Sequence, residues 1–187
     1  SEIHGSQAIQ HGGGINGYLT YSIYLTNEDV FVALFSNNTA KAPEFSALKL
    51  AAIAIGKPVP ATGITLSEEA LKEYEGIFAN EKGTEITILL DDGKLTGLRP
   101  GGSRRKMMPV EKDRFIFENS LMYASFLRDE AGKIISVVSD DMGEIVTWNR
   151  TGKKIETKKE KSLSEELLDK YVGVYQIQPG FSIAFTR

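Results

Sequence analysis

The chain has no cysteine among its 187 residues, which excludes a disulfide framework, a thiolate metal site and a thiol nucleophile. It has only two histidines and no cluster of carboxylates, which argues against a metal site. With a formal net charge of −3 it lacks the basic face that nucleic-acid binding needs. No apolar run approaches the roughly 20 residues of a membrane helix. We therefore expect no cofactor, no nucleic-acid partner and no membrane span.

The composition supports a folded core, since 41% of the residues are apolar. A length of 187 residues allows one domain, or one domain and part of another. The absence of cysteine suits an exported bacterial protein. The sequence starts Ser1-Glu2-Ile3-His4-Gly5, without methionine, shortly before a run of glycines. We therefore expect a piece of a longer polypeptide whose upstream part is missing.

Two strands joined by a polar turn are predicted near the N-terminus. Residues 17–26 alternate between two unlike sets of side chains, which is typical of a strand with two different faces. After a turn at 27–29, residues 30–35 form a continuous apolar run that fits a strand covered on both sides. We expect these two strands to pair as a hairpin.

A helix is predicted over 43–55, because proline suits its first position and Gly56 and Pro58 follow as stop signals. Its apolar residues Phe45, Leu48, Ala52 and Ile55 recur at spacings of three and four residues. Leu50 and Ile53 lie beside them. We therefore expect a mostly buried helix that lies on a larger surface.

Residues 58–65 contain two prolines and a glycine and indicate a linker. A short helix follows, and Thr65 with Glu68 matches a capping box. Short strands then recur about every ten residues, which is the spacing of a sandwich or an up-and-down barrel. They are predicted at 84–90, 94–98, 104–110, 114–118, 121–128, 134–139 and 144–149. Because each connection is short enough for a hairpin, we expect a small antiparallel barrel over 66–150.

The sequence repeats itself after a lysine-rich stretch at 151–162, which is predicted to be an exposed linker. The segment that starts at Leu66 aligns without gaps on the segment that starts at Leu163. Both contain a Leu-Ser-Glu-Glu opening and a Tyr-x-Gly sequence. We expect 163–187 to be the start of a second, truncated barrel.

One stretch carries candidate chemistry, since His11, Gly12 and Gly13 directly precede the first predicted strand. Glycine lets a ligand or another backbone approach closely, because no Cβ is in the way. An imidazole can donate a hydrogen bond to a substrate oxygen. The alternative is a flexible leader with no chemical role, because a lone glycine run is a weak signal.

The order of motifs over 10–55 resembles the end of a known catalytic domain. The sequence HGGGINGY, a hairpin ending in LFSNN and an alanine-rich helix are similar to the serine β-lactamase-related family, meaning class C-like β-lactamases, D,D-peptidases and related esterases. In that family a Lys-Thr-Gly or His-x-Gly motif lies on the strand that edges the active site. The matching residues here are His11 and Gly13, with Gly12 between them. Residues 66–150 are similar to the lipocalin-like barrel found after such catalytic domains.

The resemblance implies a mainly β (α+β) chain in which 1–57 is the C-terminal remnant of a β-lactamase-like catalytic domain. In the intact, penicillin-binding protein-like enzyme, His11, Gly12 and Gly13 would bind the substrate. That substrate would be a β-lactam, a peptidoglycan peptide or an ester. The resemblance also implies a bacterial protein that is periplasmic or secreted.

The chain departs from the family in the placing of the other motifs. The family's Ser-x-x-Lys nucleophile and its Tyr-x-Asn or Tyr-x-Ser motif both precede His-x-Gly. This chain has only downstream matches, which are Ser46 with Lys49, Ser103 with Lys106, and Tyr123 with Ser125. We interpret these as chance matches. We therefore expect the chain to contain no catalytic nucleophile or base and to be inactive on its own, because acyl transfer needs both.

A second hypothesis is a non-catalytic binding or interaction module, in which the barrel holds a small ligand or docks on a partner. Five aromatic residues could line a cavity or fill the core of so small a barrel. They are Phe115, Phe117, Tyr123, Phe126 and Trp148. The 17–35 hairpin would leave unpaired strand edges, so we also expect self-association through it.

Overall fold

A computed structural model describes residues 1–155 and 164–186. Residues 1–155 belong to one compact unit, and the residues from 156 onward belong to a second. Most of the predicted 151–162 linker, together with Leu163, lies outside the described residues. The described chain is mainly β, with few helices, as the sequence predicts. None of the helices in these ranges is long and apolar enough to cross a membrane.

The first unit begins with an antiparallel sheet of four strands in the order β1-β2-β3-β4. The strands are β1 (Glu2–Ile3), β2 (Ser6–Ile15), β3 (Tyr18–Leu25) and β4 (Val30–Ser36). The predicted hairpin is present as β3 and β4, with Leu25 paired with Val30 beside the turn. The flexible-leader interpretation of the glycine run is wrong, because residues 6–15 form a regular strand along β3.

One face of this sheet is covered by helix α1 (Glu44–Ala54). The helix buries Ala47, Leu48, Ala51 and Ala52 against a group of side chains from β1 and β3, in which Ile3, Ile23 and Leu25 are fully buried. The prediction of a mostly buried helix was wrong for the opposite side of α1. Leu50 and Ile53 are exposed there, because nothing in the described residues packs on that side.

The opposite face of the sheet is uncovered, and this corrects the prediction of a β4 strand buried on both sides. Phe31 and Phe35 are 67% and 80% exposed, whereas Val32 and Leu34 between them pack towards α1. A continuous apolar run predicts a strand covered on both faces, but among the described residues only one face of β4 is covered.

The rest of the unit is a closed antiparallel barrel of eight strands, as predicted. Helix α2 (Glu68–Lys72) precedes it. The strands are β5 (Gly76–Ala79), β6 (Glu85–Asp91), β7 (Lys94–Leu98), β8 (Arg105–Glu111), β9 (Arg114–Phe117), β10 (Met122–Arg128), β11 (Ile134–Asp141) and β12 (Glu144–Arg150). The sequence predicted seven of these and missed β5. That strand closes the barrel through the pairs Asn149–Ala79 and Arg150–Phe78.

The cap of α2 is Ser67 rather than the predicted Thr65. Ser67 is the last extended residue before the helix, and its Oγ accepts the Ala70 N–H at 3.2 Å. The same arrangement occurs in the second unit, where Ser164 accepts the Leu167 N–H at 3.3 Å. An extended backbone with a hydroxyl three residues before an orphan N–H is what an N-cap requires.

The second unit contains helix α3 (Glu165–Asp169) and a hairpin of β13 (Gly173–Gln178) and β14 (Phe181–Phe185). These elements occupy the positions, along the sequence repeat, of α2, β5 and β6. Similar sequence therefore accompanies a similar helix-strand-strand order in both segments.

Candidate functional site

The predicted site residues lie on β2, which is an edge strand over most of its length. Strand β1 pairs only with Ser6 and Gln7, and β3 pairs along the other side of β2 from Ala8 to Ile15. Residues 9–15 therefore have one backbone edge with no strand neighbour among the described residues. An edge of this kind can accept an extended peptide through main-chain hydrogen bonds.

His11 lies on the uncovered face of the sheet, beside Ser22 of β3, with which it pairs in register. Its side chain is exposed, and the described residues offer it no hydrogen-bond partner. Gly13 lies on the same face one row further along, opposite Thr20. The arrangement leaves the imidazole free to meet a ligand. The hydroxyl beside it is that of Ser22, and no hydrogen bond joins the two side chains in the described structure.

A side chain at Gly13 or Gly14 of β2 would also crowd the side chains of β3 in their present conformations. A Cβ on Gly13 would lie 2.7 Å from Thr20 Oγ1, and a Cβ on Gly14 would lie 2.9 Å from Leu19 Cδ2. Both distances are shorter than real Cβ contacts. Close strand packing is therefore a second reason for the glycine run, besides access for a ligand.

The uncovered face around His11 is apolar. Cross-strand pairing aligns Ile9 with Tyr24 and Tyr24 with Phe31 in one row, and Gly13 with Thr20 and Thr20 with Phe35 in another. The exposed apolar side chains on this face are Ile9, Ile15, Tyr18, Phe31 and Phe35. A face of this kind is typical of an interaction surface.

Two of the downstream motif matches, Ser46 with Lys49 and Ser103 with Lys106, lie at the surface. Ser46 is exposed on α1, and the Lys49 ammonium lies over the Phe45 ring at 5.0 Å from its centroid. Ser103 and Lys106 are exposed as well. Neither Ser46 nor Ser103 hydrogen-bonds to the lysine of its motif in the described structure.

A cleft of about 450 Å3 opens between the sheet and the barrel. His4 lines this cleft, and its backbone has a positive φ of 49°. The buried Nε2 atom of its imidazole has no hydrogen-bond partner among the described residues. Burial lowers the pKa of His4, and the positive charges of Lys57 and Arg114 lower it further. The imidazole is therefore neutral at pH 7. Charges of both signs line this cleft, so the lining selects no single ligand charge.

Of the five aromatic residues predicted for the barrel interior, Tyr123 lies outside it. Its ring lines the cleft, with the His4 ring edge-on at 5.9 Å and the Arg114 guanidinium at 4.6 Å from the ring centroid. Phe115 and Phe126 fill the core, at 5.5 Å from each other and 4.9 and 4.8 Å from Tyr74. Packing of the core therefore accounts for these two.

Phe117 and Trp148, in contrast, line a cavity of about 210 Å3 inside the barrel. Its walls are mostly apolar, and Arg99 and Arg105 also line it. The sequence predicted both residues as candidates for the barrel interior. Nothing in it indicated that they line a cavity while Phe115 and Phe126 pack in the core. That separation depends on barrel shear, which brings distant strands together.

The other end of the barrel is closed by a network around Asp113. Its Oδ1 accepts the Tyr74 hydroxyl at 2.8 Å and the Arg128 Nη2 at 2.8 Å. Burial by itself raises the pKa of Asp113, but hydrogen bonds from Arg128 and Tyr74 outweigh it and lower the pKa. Arg128 Nη1 also donates to Glu73 at 2.8 Å. We interpret this network as structural, because its groups satisfy one another.

A metal site is not formed by the described residues, which contain no group of three or more His, Asp or Glu side chains that could hold an ion. Two pairs of adjacent aspartates, at 91–92 and 140–141, lie at hairpin turns. Asp92 has a positive φ of 51° in its turn, and Asp140 Oδ1 accepts the Gly143 N–H at 2.9 Å. Both roles are common for aspartate in turns.

Comparison with known proteins gives weak structural neighbours only. No protein-family model matches the chain, and no curated protein matches it. SurE with D-Leu matches at 22% identity and a TM-score of 0.37, over 76% of this chain and 35% of SurE. A second SurE structure matches at 22% identity and a TM-score of 0.37, over 76% and 34%.

The octameric penicillin-binding protein homologue from Pyrococcus abyssi matches at 20% identity and a TM-score of 0.33, over 79% of this chain and 34% of that one. The chain thus spans about a third of the length of these solved proteins. A penicillin-binding protein homologue is therefore a weak structural neighbour. Membership of the β-lactamase-related family stays a prediction from the sequence motifs.

Proposed function

We propose that this chain is the C-terminal part of an exported serine hydrolase of the β-lactamase and D,D-peptidase type. The observation that carries the proposal is the position of His11, which lies on the free edge strand of an antiparallel sheet. The hairpin and helix that the family resemblance calls for follow in order, with α1 packed on the opposite face. In such an enzyme this edge forms one wall of the active site.

The role of each residue follows from this position. A β-lactam, peptidoglycan peptide or ester would lie along residues 9–15, where backbone groups are open to pairing. The His11 imidazole would donate a hydrogen bond to a substrate carboxylate or stabilise the base. Gly12 and Gly13 would keep the strand edge free of side chains. The nucleophile would come from upstream sequence, and the chain alone is inactive.

Two measurements test this proposal. The coding sequence directly upstream should contain Ser-x-x-Lys and then Tyr-x-Asn or Tyr-x-Ser in frame, and an upstream stop codon would overturn the proposal. In the longer protein, His11→Ala should lower kcat/KM by roughly 10²–10³-fold, the usual cost of one positioned donor. Gln7→Ala on the same strand is the matched control and should leave kcat/KM unchanged.

A test on the chain itself uses a fluorescent penicillin. We expect no covalent labelling, because neither Ser46 nor Ser103 hydrogen-bonds to the lysine of its motif in the described structure. A labelling burst that Ser46→Ala abolishes would contradict the proposed inactivity.

A second candidate function is ligand binding by the barrel, and the cavity beside Phe117 and Trp148 favours it. A barrel that served only as a structural support would gain stability from filling this space, since empty volume weakens a core. Saturable binding of a small apolar molecule, followed by Trp148 fluorescence, tests this candidate. If no small apolar molecule binds, the second candidate function is wrong.

A further inference from the structure

The barrel cavity lies at the end opposite the Asp113 network. The turn between β8 and β9 holds Asp113, whereas the turn between β7 and β8 holds Arg99 and Ser103, which line the cavity. Successive turns of an up-and-down barrel alternate between its two ends, so the two features lie at opposite ends. One end is therefore packed and cross-linked, and the other is hollow.

The wall of the cavity is mostly apolar, and the two polar side-chain groups at its buried end, those of Trp148 and Ser139, are hydrogen-bonded. The main apolar lining residues are Ile88, Leu98, Phe117, Met122, Val137 and Trp148. Trp148 Nε1 donates to Ser139 Oγ at 2.9 Å, and Ser139 Oγ donates to the Val146 carbonyl at 3.4 Å. A ligand in the cavity therefore needs no polar group at its buried end.

The mouth carries positive charge only. Arg99 lies over the Trp148 ring, with its guanidinium carbon 5.5 Å from the centroid, and Arg105 lies over Phe117 at 5.1 Å. Both are exposed, and no carboxylate lines the cavity. Within the described ranges neither forms an ion pair, whereas their neighbour Arg104 pairs with Asp91 at 2.6 Å.

We propose that this cavity binds a small amphipathic carboxylate, with the apolar tail between Phe117 and Trp148 and the carboxylate on Arg99 and Arg105. Guanidinium groups suit carboxylates because their donors match the two oxygens. The cavity of about 210 Å3 is smaller than the roughly 300 Å3 at which pockets for drug-sized ligands begin, so the ligand is small. This inference rests on the second candidate function, ligand binding by the barrel, and specifies its chemistry.

The test uses Trp148, the only tryptophan of the chain, as a fluorescent reporter in the full polypeptide. Octanoate should bind saturably and at least about tenfold more tightly than 1-octanol, since a hydrogen bond to a charged group contributes that much. Octylammonium should bind more weakly than 1-octanol. Added salt should weaken octanoate binding, because the arginines are exposed.

A free aliphatic acid and the carboxyl end of a peptide share this chemistry, so a second pair of probes separates the two sources. N-acetylleucine is compared with its neutral amide in the same titration. A preference for octanoate over 1-octanol points to an aliphatic acid, and a preference for N-acetylleucine over its amide points to a peptide end. Either preference supports the inference.

The Arg99→Gln, Arg105→Gln double variant should reduce octanoate affinity to the level of 1-octanol, while 1-octanol binding is retained. Arg104→Gln is the matched control, because Arg104 is adjacent, exposed and absent from the cavity lining, and it should keep the preference. Ala124→Leu fills the cavity from its buried wall and should weaken both ligands. If that variant does not fold, the exposed arginines still give the deciding comparison.

The possible failures are distinguishable. Equal binding of octanoate and 1-octanol, together with equal binding of N-acetylleucine and its amide, would overturn the carboxylate inference and leave ligand binding by the barrel in place. The same conclusion follows if the double arginine variant keeps the octanoate preference. If none of the probes gives saturable binding, both the inference and the second candidate function are wrong.

Discussion

The sheet and the barrel of the first unit differ in how completely their strands are paired. The barrel pairs every strand on both sides, since β12 returns to β5, and it encloses its core. Among the described residues, the sheet has free edges at β4 and along residues 9–15 of β2, and α1 covers only one of its faces. Open edges and a bare apolar face favour contact with further protein, whereas a closed barrel has no edge to offer.

The two regions also differ in the burial of their phenylalanine side chains. Side chains at the centre of the barrel, such as Phe78 and Phe115, are fully buried. In the sheet, Phe31 and Phe35 are aromatic and lie in solvent. Phenylalanine is therefore part of the core in the barrel and part of the exposed surface in the sheet.

The sharpest test of this contrast removes one phenylalanine from each region. Phe126→Ala should lower the free energy of unfolding by about 3–5 kcal/mol, because Phe126 is 4% exposed and contacts Tyr74 and Phe115. Phe35→Ala, at 80% exposure, should change it by less than about 0.5 kcal/mol. Urea unfolding measures both, and similar costs would mean that the outer face of the sheet is buried in solution.

The packed end of the barrel should be sensitive to acid. Asp113→Asn should cost about 1.5–3 kcal/mol at pH 7, the value of hydrogen bonds to a charged group. The Arg128 and Tyr74 hydrogen bonds lower the folded-state pKa of Asp113 despite burial, so its stabilisation is fully present above the unfolded value of about 3.9. It is lost as pH falls through the folded pKa.

The stability of the Asp113→Asn variant and that of the natural chain should therefore converge as the pH falls below about 4. Asp92→Asn is the matched control, because Asp92 also has a positive φ but lies exposed in a turn. It should leave the pH profile of unfolding unchanged. A gap between natural chain and Asp113→Asn that stays constant down to pH 2 would contradict the role of the carboxylate.

The glycine run of the sheet allows a smaller effect to be measured. Gly13→Ala should cost about 1–2 kcal/mol, as overpacking does, because its Cβ would lie 2.7 Å from Thr20 Oγ1. Combining it with Thr20→Ala should cost less than the sum of the two single changes. Strictly additive unfolding free energies would show that Thr20 does not restrict this position.

The cap of α2 gives a still smaller effect. Ser67→Ala should cost about 1 kcal/mol, because it removes the acceptor of the Ala70 N–H. Ser46→Ala, on the exposed side of α1, should have almost no effect on thermal unfolding. Equal changes in Tm for the two variants would remove the capping role of Ser67.

Two substitutions on the uncovered face of the sheet should have the smallest effect on stability. They should nevertheless clearly reduce association between copies of the chain. Phe31→Thr with Phe35→Thr should leave the unfolding free energy within about 0.5 kcal/mol of that of the natural chain. It should reduce the self-association that we expect through the sheet, as measured by light scattering at increasing protein concentration. Leu127→Thr, an exposed apolar residue of the barrel, is the control. A natural chain that stays monomeric would contradict this prediction.

Much of the local structure was predictable because it depends on neighbours in sequence. Alternation at 17–26 gave β3, and the turn signals gave β6 to β12 within about two residues. The prediction failed for β5, where the local pattern is weak. It also failed for the N-cap of α2, where both Thr65 and Ser67 offer a hydroxyl and Ser67 is the cap. The glycine run was ambiguous, because glycine weakens the pattern of a strand even when cross-strand packing requires it.

Within the candidate sites, the sequence predicts His11, Gly12 and Gly13 as substrate-binding residues, and it does not single out the cavity arginines. Arg99 and Arg105 belong to a charged stretch that resembles an ordinary solvated edge, and no signal in the sequence separates them from Arg104. The difference between the three arginines is which of them lies over Trp148 or Phe117 and which pairs with Asp91.

The sequence by itself determined the mainly β character, the hairpin, the repeat in the amino-acid pattern and the order of elements, because periodicity and turn residues act over a few positions. Only the tertiary structure decided that β12 closes on β5, that one face of the sheet is bare, and that the barrel is packed at one end and hollow at the other. These features depend on strand register and barrel shear, which bring together residues such as Phe117 and Trp148 that no local pattern connects.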